Sequence, residues 1–249
     1  MIDLAHKEQI AILTISRSTT NPINLDLVEQ LYQQICQIRD DPDIHGLVLT
    51  SASEKFFSIG FDLPDLIDLP RKQFEHFFER FNQLSLELYT LPKPTIAALT
   101  GHAIAGGCIL AICCDYRLSA AGRKLMGLNE IKLGVPVPYL TDAILHHTTG
   151  TLIARNVLET GDLFDQESSL RIGLIDRILP AETLLPEAVA MANTLSNQAP
   201  SVYALIKSTR IEPVVERVTP LLAKKQSQFM ECWFSTRAEG LLRQALDKF

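Results

Sequence analysis

Two glycine-containing turns are the first candidates for chemistry, because each follows an apolar segment and can leave backbone N–H groups free. They are Phe57-Ser58-Ile59-Gly60-Phe61-Asp62-Leu63 and Gly101-His102-Ala103-Ile104-Ala105-Gly106-Gly107. Two such donors converging on one oxygen would make an oxyanion hole. Neither turn ends in the Gly-Lys-Ser/Thr of a phosphate-binding loop, and neither has the G-x-G-x-x-G spacing of a dinucleotide-binding site. Taken alone, the glycines favour a simpler interpretation, namely tight turns and close helix–sheet packing.

Glu130 is the most informative acidic residue, because the segment around it, Gly127 to Gly134, is otherwise almost free of charge. A carboxylate in apolar surroundings has a raised pKa and can act as a base that later returns the proton. A turn or capping role is the alternative. His102 and the pair His146-His147 lack metal-ligand spacing, so we interpret them as structural or surface residues. The G-x-S-x-G nucleophile elbow of hydrolases is incomplete around Ser58, because Phe56 occupies the position of its first glycine.

Composition and charge exclude several classes of protein. The chain has 249 residues and a formal net charge of -6, which disfavours binding to nucleic acid. Five cysteines without C-x-x-C spacing predict free thiols rather than disulfides or a zinc ribbon. No apolar stretch is long enough to span a membrane, and the first residues do not form a secretory signal. We therefore expect a cytoplasmic protein.

Hydrophobic periodicity predicts an α/β fold built on a mostly parallel sheet. The predicted strands are 10–15, 46–51 and 95–99, and the predicted helices in the first half are 27–39, 72–89 and 108–114. Residues 118–140 carry glycines and prolines typical of loops that shape a site, and residues 163–179 predict one helix and a short strand. After Pro180 the pattern is helical throughout, over 187–197, 201–209, 214–234 and 236–249.

Two apolar features leave alternatives open. The helix predicted over 72–89 carries a stripe of phenylalanines, which either line an acyl-chain site or, as we favour, pack in the core. The C-terminal helices expose apolar positions that a small tail cannot bury by itself. We expect them to pack on the main domain or on another subunit.

The two glycine turns, together with Lys93 to Cys108 and Cys114 to Arg117, resemble the signature blocks of the enoyl-CoA hydratase/isomerase (crotonase) superfamily. Asn21-Pro22-Ile23-Asn24, Gly173-Leu174-Ile175-Asp176 and the helical tail extend this resemblance over essentially the whole chain. It implies a crotonase-like ββα superhelix core with an acyl-CoA site over residues 1–185. It also implies a C-terminal all-helical trimerisation region over 186–249, and hence a homotrimer or a dimer of trimers.

The resemblance also implies roles for individual residues. The backbone N–H groups of Phe61 and Gly106 would form the oxyanion hole for an acyl-CoA thioester. The remaining implied substrate contacts are Ile59, Gly60, Asp62 and Leu63 beside the CoA-binding loop, and Asn129 beside the acyl portion. Neither a metal nor a redox cofactor is implied, since coenzyme A is part of the substrate.

The resemblance favours one reaction over its relatives. Hydratases in the superfamily resemble one another in using two glutamates, whereas Ile109 stands at the first of these positions and only Glu130 remains. The block Gly127-Leu128-Asn129-Glu130 resembles the mitochondrial-type Δ3,Δ2-enoyl-CoA isomerase, in which one glutamate is the catalytic base. The sequence thus predicts that Glu130 moves a 3-enoyl-CoA double bond to the 2-trans position during β-oxidation. Hydration, other acyl-CoA enolate chemistry, or acyl-CoA binding without catalysis are the alternatives.

Overall fold

The computed structural model describes residues 1–197 and 199–246, and it contains twelve strands and eleven α-helices within them. The strands are β1 (Ile2–Lys7), β2 (Ile10–Ile15), β3 (Pro22–Ile23), β4 (Gly46–Ser51), β5 (Phe56–Ser58), β6 (Gly60–Phe61), β7 (Thr95–Leu99), β8 (His102–Ile104), β9 (Tyr116–Ala120), β10 (Leu125–Gly127), β11 (Phe164–Asp165) and β12 (Arg177–Leu179). The helices are α1 (Leu25–Asp40), α2 (Leu63–Leu66), α3 (Arg71–Thr90), α4 (Gly106–Ile112), α5 (Tyr139–Thr149), α6 (Thr151–Thr160), α7 (Gln166–Arg171), α8 (Ala181–Ser196), α9 (Pro200–Val218), α10 (Leu222–Trp233) and α11 (Thr236–Leu246).

The largest sheet has six strands in the order β1-β2-β4-β7-β9-β12. Only β1 and β2 are antiparallel, and every pair from β2 to β12 is parallel. Strands β4 and β7 are buried along their whole length, as expected for parallel strands that are covered on both faces. The predicted strands 10–15, 46–51 and 95–99 are therefore confirmed, and so is the α/β fold class.

A second sheet positions the candidate site. Its order is β11-β10-β8-β5, and β5, β8 and β10 are parallel neighbours. A two-stranded parallel pair, β3 with β6, lies beside it in the register Ile23 opposite Phe61. A 3-10 helix, Glu130–Leu133, follows β10. Because carboxyl ends of parallel strands meet at one edge, the segments after β5, β8 and β10 are brought together.

The prediction of loops over 118–140 is wrong in part. Residues 116–120 form β9, which lies between β7 and β12, and residues 125–127 form β10. These short strands lack a recognisable pattern of their own, and the neighbouring strands decide their conformation. Strand β1 and helices α5 and α6 were not predicted.

The C-terminal helices pack on the rest of this same chain. Helix α8 covers one face of the large sheet, where Ala188 and Ala192 join Ile12 and Ile96 in one cluster. Helices α9 to α11 contribute to the main core, which includes Trp233. The predicted boundary between residues 185 and 186 falls inside α8. Assembly into trimers stays a prediction.

The predicted division of the tail at residues 210–213 is wrong, because α9 continues through Pro213. Burial of Ile211, Val214 and Val218 on one face supports the helix across the proline. The chain instead bends at a 3-10 turn over Thr219–Leu221, which contains Pro220. The last three residues of the helix predicted over 236–249 lie outside the described residues.

A buried ion pair joins α9 to the main body. Lys207 Nζ donates to Asp115 Oδ2 over 2.7 Å, and both side chains are 5% exposed or less. Arg210 also pairs with Asp115, and Tyr203 OH donates to it over 3.1 Å. Thr95 completes the set through its N–H and its hydroxyl, each at 2.9 Å. Asp115 therefore connects the tail to the beginning of β7.

The phenylalanines of α3 pack in the core, as favoured from the sequence. All four, Phe74, Phe77, Phe78 and Phe81, are at most 1% exposed. Phe74 stacks on Trp233 at 4.0 Å between ring centroids, and Phe78 stacks on Phe229 at 3.9 Å.

No helix among the described residues is long and apolar enough to cross a membrane.

Candidate active site

The residues predicted for the site meet at one edge of the small sheet. Phe61 comes shortly after β5, Gly106 shortly after β8, and Glu130 shortly after β10. Ala105 N–H donates to Gly127 O over 2.9 Å, which extends the pairing of β8 with β10 up to the start of α4. Three segments that are distant in sequence are thereby fixed side by side.

Gly60, directly before Phe61, allows the backbone of its strand to approach Gly106 closely. Its φ is +100°, and a Cβ placed on it would lie 2.9 Å from Gly106 N and 3.1 Å from Ile104 O. Asp62 N–H donates to Ile23 O, on the β3 side of the chain. Because successive residues of a strand point their N–H groups to opposite sides, the Phe61 N–H faces away from β3. A donor is thus directed toward the junction with Gly106.

The N–H of Gly106, the second predicted donor, lies at the beginning of a helix. The first bond of α4 runs from Ile109 N–H to Ala105 O, so the N–H of Gly106 precedes the helical ladder. Ala105 has a φ of +48°, which is unusual for a residue with a Cβ and marks a forced turn before the helix. Gly107 lies so close to β5 that a Cβ there would be 2.3 Å from Ser58 O. This helix start is held rigidly against the strand that leads to Phe61.

Glu130 is a buried carboxylate with an unused oxygen. Its side chain is 6% exposed, and Oε2 makes no hydrogen bond with the described protein atoms. Burial raises the pKa of Glu130 to about 7, and a hydrogen bond from its own backbone N–H lowers it only partly. The same carboxylate raises the pKa of the fully buried Cys108 thiol on α4, after the larger effect of burial. Glu130 therefore lies near the start of α4 and is poised to exchange a proton near neutral pH.

The backbone around Glu130 fixes its position. The 3-10 helix that carries it ends at Gly134, whose φ is +76°, and Val135 N–H donates to Glu130 O over 3.2 Å. The C-terminal helix α11 covers this turn, since a Cβ on Gly134 would lie 3.1 Å from Ala238 Cα. Asn129 precedes Glu130, and its buried Oδ1 is likewise without a hydrogen-bond partner among the described residues. Two adjacent polar side chains thus keep free acceptor atoms.

The four other predicted substrate contacts occupy different environments. Gly60 has the structural role described above, whereas Ile59 and Leu63 are half-buried on either side of Phe61. Asp62 is 6% exposed, forms an ion pair with Arg17, and caps α2 by accepting from Asp65 N–H. Its carboxylate is therefore occupied within the protein. Each of its carboxylate oxygens already accepts one hydrogen bond within the protein, and the substrate contact at Asp62 stays a prediction.

Aromatic side chains cover the Phe61 turn. The Phe61 ring packs edge-on against Phe77 and Phe81, each at 4.9 Å between centroids, and against Trp233 at 6.4 Å. Ile109 and Leu128, at the starts of the adjoining segments, are at most 1% exposed. The Phe61 turn and the starts of the adjoining segments are therefore apolar.

A cavity of about 470 Å³ lies next to this arrangement rather than within it. Ile131 and Val135, which flank the Glu130 turn, contribute to its wall, together with Phe78 and Phe229. The residues that line it include neither Glu130, Phe61 nor Gly106. The candidate residues lie instead on the segments that follow β5, β8 and β10 at the edge of the small sheet.

Some predictions and omissions concern supporting residues. His102 is structural as predicted, since its Nδ1 accepts from Leu125 N–H over 2.9 Å. Asn21 is completely buried and donates to Ser51 Oγ over 2.8 Å. Arg17 and Trp233 were not singled out, because their partners are distant in sequence and no local pattern marks them. Among residues 1–197 and 199–246, no group of His, Cys, Asp and Glu has an arrangement suited to a metal ion.

Comparison with known proteins defines the class. The sequence matches the family described as Enoyl-CoA hydratase/isomerase over residues 5–244. A crotonyl-CoA hydratase from Syntrophomonas wolfei is 28% identical over 93% of this chain and 89% of its own length. Mitochondrial enoyl-CoA delta isomerase 1 from Mus musculus is 29% identical over 72% of this chain and 62% of its own length.

A solved structure agrees with the fold. The crystal structure of human mitochondrial delta3-delta2-enoyl-CoA isomerase has a TM-score of 0.95 with this chain, at 23% sequence identity. The match covers 99% of this chain and 97% of the human chain. The chain therefore belongs to the enoyl-CoA hydratase/isomerase family and has the crotonase fold with a helical C-terminal region. The resemblance stated from the sequence is confirmed.

Proposed function

We propose that this protein is a Δ3,Δ2-enoyl-CoA isomerase, which converts a 3-enoyl-CoA to the 2-trans isomer. The observation that carries the proposal is the buried Glu130, whose pKa is about 7, together with the apolar Ile109 at the position where the hydratases carry their first glutamate. The other carboxylate near the turn, Asp62, is occupied by Arg17. A shuttle between two carbons of one substrate needs one carboxylate, whereas two would be needed for the usual activation of water in this family.

The proposed reaction balances with Glu130 alone. The Glu130 carboxylate removes a proton from C2, and the electron pair moves onto the thioester oxygen as a dienolate forms. The N–H groups of Phe61 and Gly106 would stabilise that oxygen. The protonated Glu130 then delivers the same proton to C4, which places the double bond between C2 and C3. Exclusion of water by Phe61, Ile109 and Leu128 favours return of the proton over hydration.

Hydration of a 2-enoyl-CoA is the second candidate, since the crotonyl-CoA hydratase relative matches more of this chain than the isomerase relative does. Absorbance of the conjugated enoyl thioester distinguishes the two reactions. We expect a rise with a 3-enoyl-CoA and little loss with a 2-enoyl-CoA. A loss of absorbance with the 2-enoyl-CoA and no change with the 3-enoyl-CoA would refute the isomerase and show that Glu130 activates water alone.

The role of Glu130 is tested by Glu130→Gln. We expect a loss of about 10²- to 10⁴-fold in turnover with similar acyl-CoA affinity, which is the range for a positioned acid–base group. Glu212→Gln removes an exposed carboxylate on α9 and is the matched control. A near-wild-type rate for Glu130→Gln would exclude Glu130 as the base. Acyl-CoA binding without turnover in the wild type would instead indicate a non-catalytic binding protein.

A further inference from the structure

Arg17 lies in the loop after β2 and contacts three acceptors around the Phe61 turn. Its Nη1 donates to Pro22 O over 2.6 Å and also to Asp62 Oδ2. Its Nη2 donates to Asp65 Oδ2 over 3.1 Å. The Arg17 side chain is 18% exposed and that of Asp62 is 9% exposed, so this ion pair is largely shielded from solvent.

These acceptors belong to the two strands that set the direction of the Phe61 N–H. Pro22 begins β3, and Asp62 directly follows β6. Each strand has only two residues, and an isolated pair of this size is not stable in water. The guanidinium therefore joins the strands where Asp62 N–H donates to Ile23 O over 2.9 Å. Loss of this link would let β6 rotate or shift.

Arg17 also controls the charge next to the turn. Asp62 is one residue from the Phe61 N–H, and its carboxylate is buried. An unpaired, buried carboxylate on the residue next to Phe61 would oppose negative charge developing on a thioester oxygen. Asp65, the second carboxylate that Arg17 contacts, is also held by Asn24 Nδ2 over 3.0 Å. The planar guanidinium meets all these acceptors at once, which the single ammonium of a lysine cannot do.

We propose that Arg17 is a positioning residue for the oxyanion hole, which fixes the Phe61 N–H and neutralises Asp62. The inference rests on the proposed function in so far as the bound oxygen is that of an acyl-CoA thioester. It does not depend on which enolate reaction follows. Arg17 would act through Phe61 and Asp62 and would not touch the substrate.

The test measures thioester polarisation separately from turnover. Wild type, Arg17→Gln and Arg17→Lys are each saturated with a non-reacting, saturated acyl-CoA that carries a ¹³C thioester carbonyl. The shift of the carbonyl stretch on binding is read by difference infrared spectroscopy. Arg80→Gln is the matched control, because Arg80 is 19% exposed and forms an ion pair with Glu29 that joins α3 to α1.

We expect a downshift in the wild type, most of which is lost in Arg17→Gln and part of which is lost in Arg17→Lys. Turnover should fall by about 10- to 100-fold in Arg17→Gln, up to the range for loss of one oxyanion donor. The affinity for free CoA, which has no thioester oxygen, should stay within about twofold of the wild type. Arg80→Gln should retain both the downshift and the turnover.

Three results would overturn the inference. A full downshift and normal turnover in Arg17→Gln would show that Arg17 does not position the donor. Weaker binding of free CoA with an unchanged carbonyl stretch would make Arg17 a ligand of the CoA phosphates. An equal loss of turnover in Arg80→Gln would indicate general destabilisation. Absence of any acyl-CoA binding by the wild type would refute the proposed function itself, and with it the oxyanion hole.

Discussion

The buried Glu130 carboxylate should destabilise the folded protein at neutral and alkaline pH. Its pKa is about 7 in the fold, against an ordinary value of 4.5. Because the charged form is disfavoured in the fold, the penalty is absent below pH 4.5. The penalty grows as the pH rises from 4.5 to about 7, and it is complete above that pH. Glu130→Gln removes this ionisation while it keeps nearly the same shape.

The magnitude follows from the difference in pKa. One pKa unit corresponds to about 1.4 kcal/mol, so a rise from 4.5 to about 7 costs about 3 kcal/mol when Glu130 is fully ionised. Glu130→Gln should therefore be more stable than the wild type by about 3 kcal/mol at pH 8.5. At pH 5 the gain should be only about a quarter of this value. For a chain of this length, 3 kcal/mol corresponds to about 6–12 °C in melting temperature.

Denaturant unfolding at a series of pH values measures the effect. The quantity compared is the free energy of unfolding of Glu130→Gln minus that of the wild type. Glu212→Gln controls for loss of one negative charge at an exposed position and should show little change across the same range. A difference that does not depend on pH, or a wild type more stable than the variant at pH 8.5, would refute our account of the Glu130 environment.

The remaining predictions concern the rate, the turn and the tail. With a 3-enoyl-CoA, kcat/KM should rise with pH through an apparent pKa of about 7, since Glu130 must be ionised to accept a proton; a profile level from pH 5 to 9 would contradict this. Gly60→Ala should lower turnover by about 100-fold or more, because its Cβ would meet Gly106 N at 2.9 Å. Gly173→Ala introduces a Cβ at a similar positive φ of +79° but with no atom within 4 Å, so it should leave turnover nearly unchanged in the same assay. Asp115→Asn should reduce the free energy of unfolding in denaturant by about 3 kcal/mol or more, because it leaves the buried Lys207 without its counter-charge; a loss below about 1 kcal/mol would contradict this.

The regular elements with strong periodicity were predictable, because local pattern and tertiary environment agree there. Helix α1 begins after Asn24, whose side chain accepts from Leu27 N–H as a helix cap. Strands β4 and β7 are apolar runs with buried neighbours on both sides. Strands β9 and β10 were not predicted, because their conformation depends on pairing with strands distant in sequence.

The sequence indicated which segments come together at the candidate site, but not the side chains that support them, and the roles of the site residues stay predictions. Gly60, Gly106 and Glu130 stand in motifs with a recognisable order, and the fold brings their segments together as expected from the family. No pattern in the sequence indicated the ion pair between Asp62 and Arg17, which lies 45 positions earlier in the chain. A salt bridge between two loops leaves no periodic signal, so only the three-dimensional arrangement reveals it.

Trp233 gives this protein a built-in optical reporter. It is the single tryptophan of the chain, and it lies on α10 with its ring against Phe74 and within 6.4 Å of the Phe61 ring. At 5% exposure, its fluorescence should be blue-shifted as long as α10 covers the Phe61 turn. A red shift on adding acyl-CoA would report that the helix has lifted from the turn. Without any label, rapid mixing would then time the movement of the tail against the chemical step.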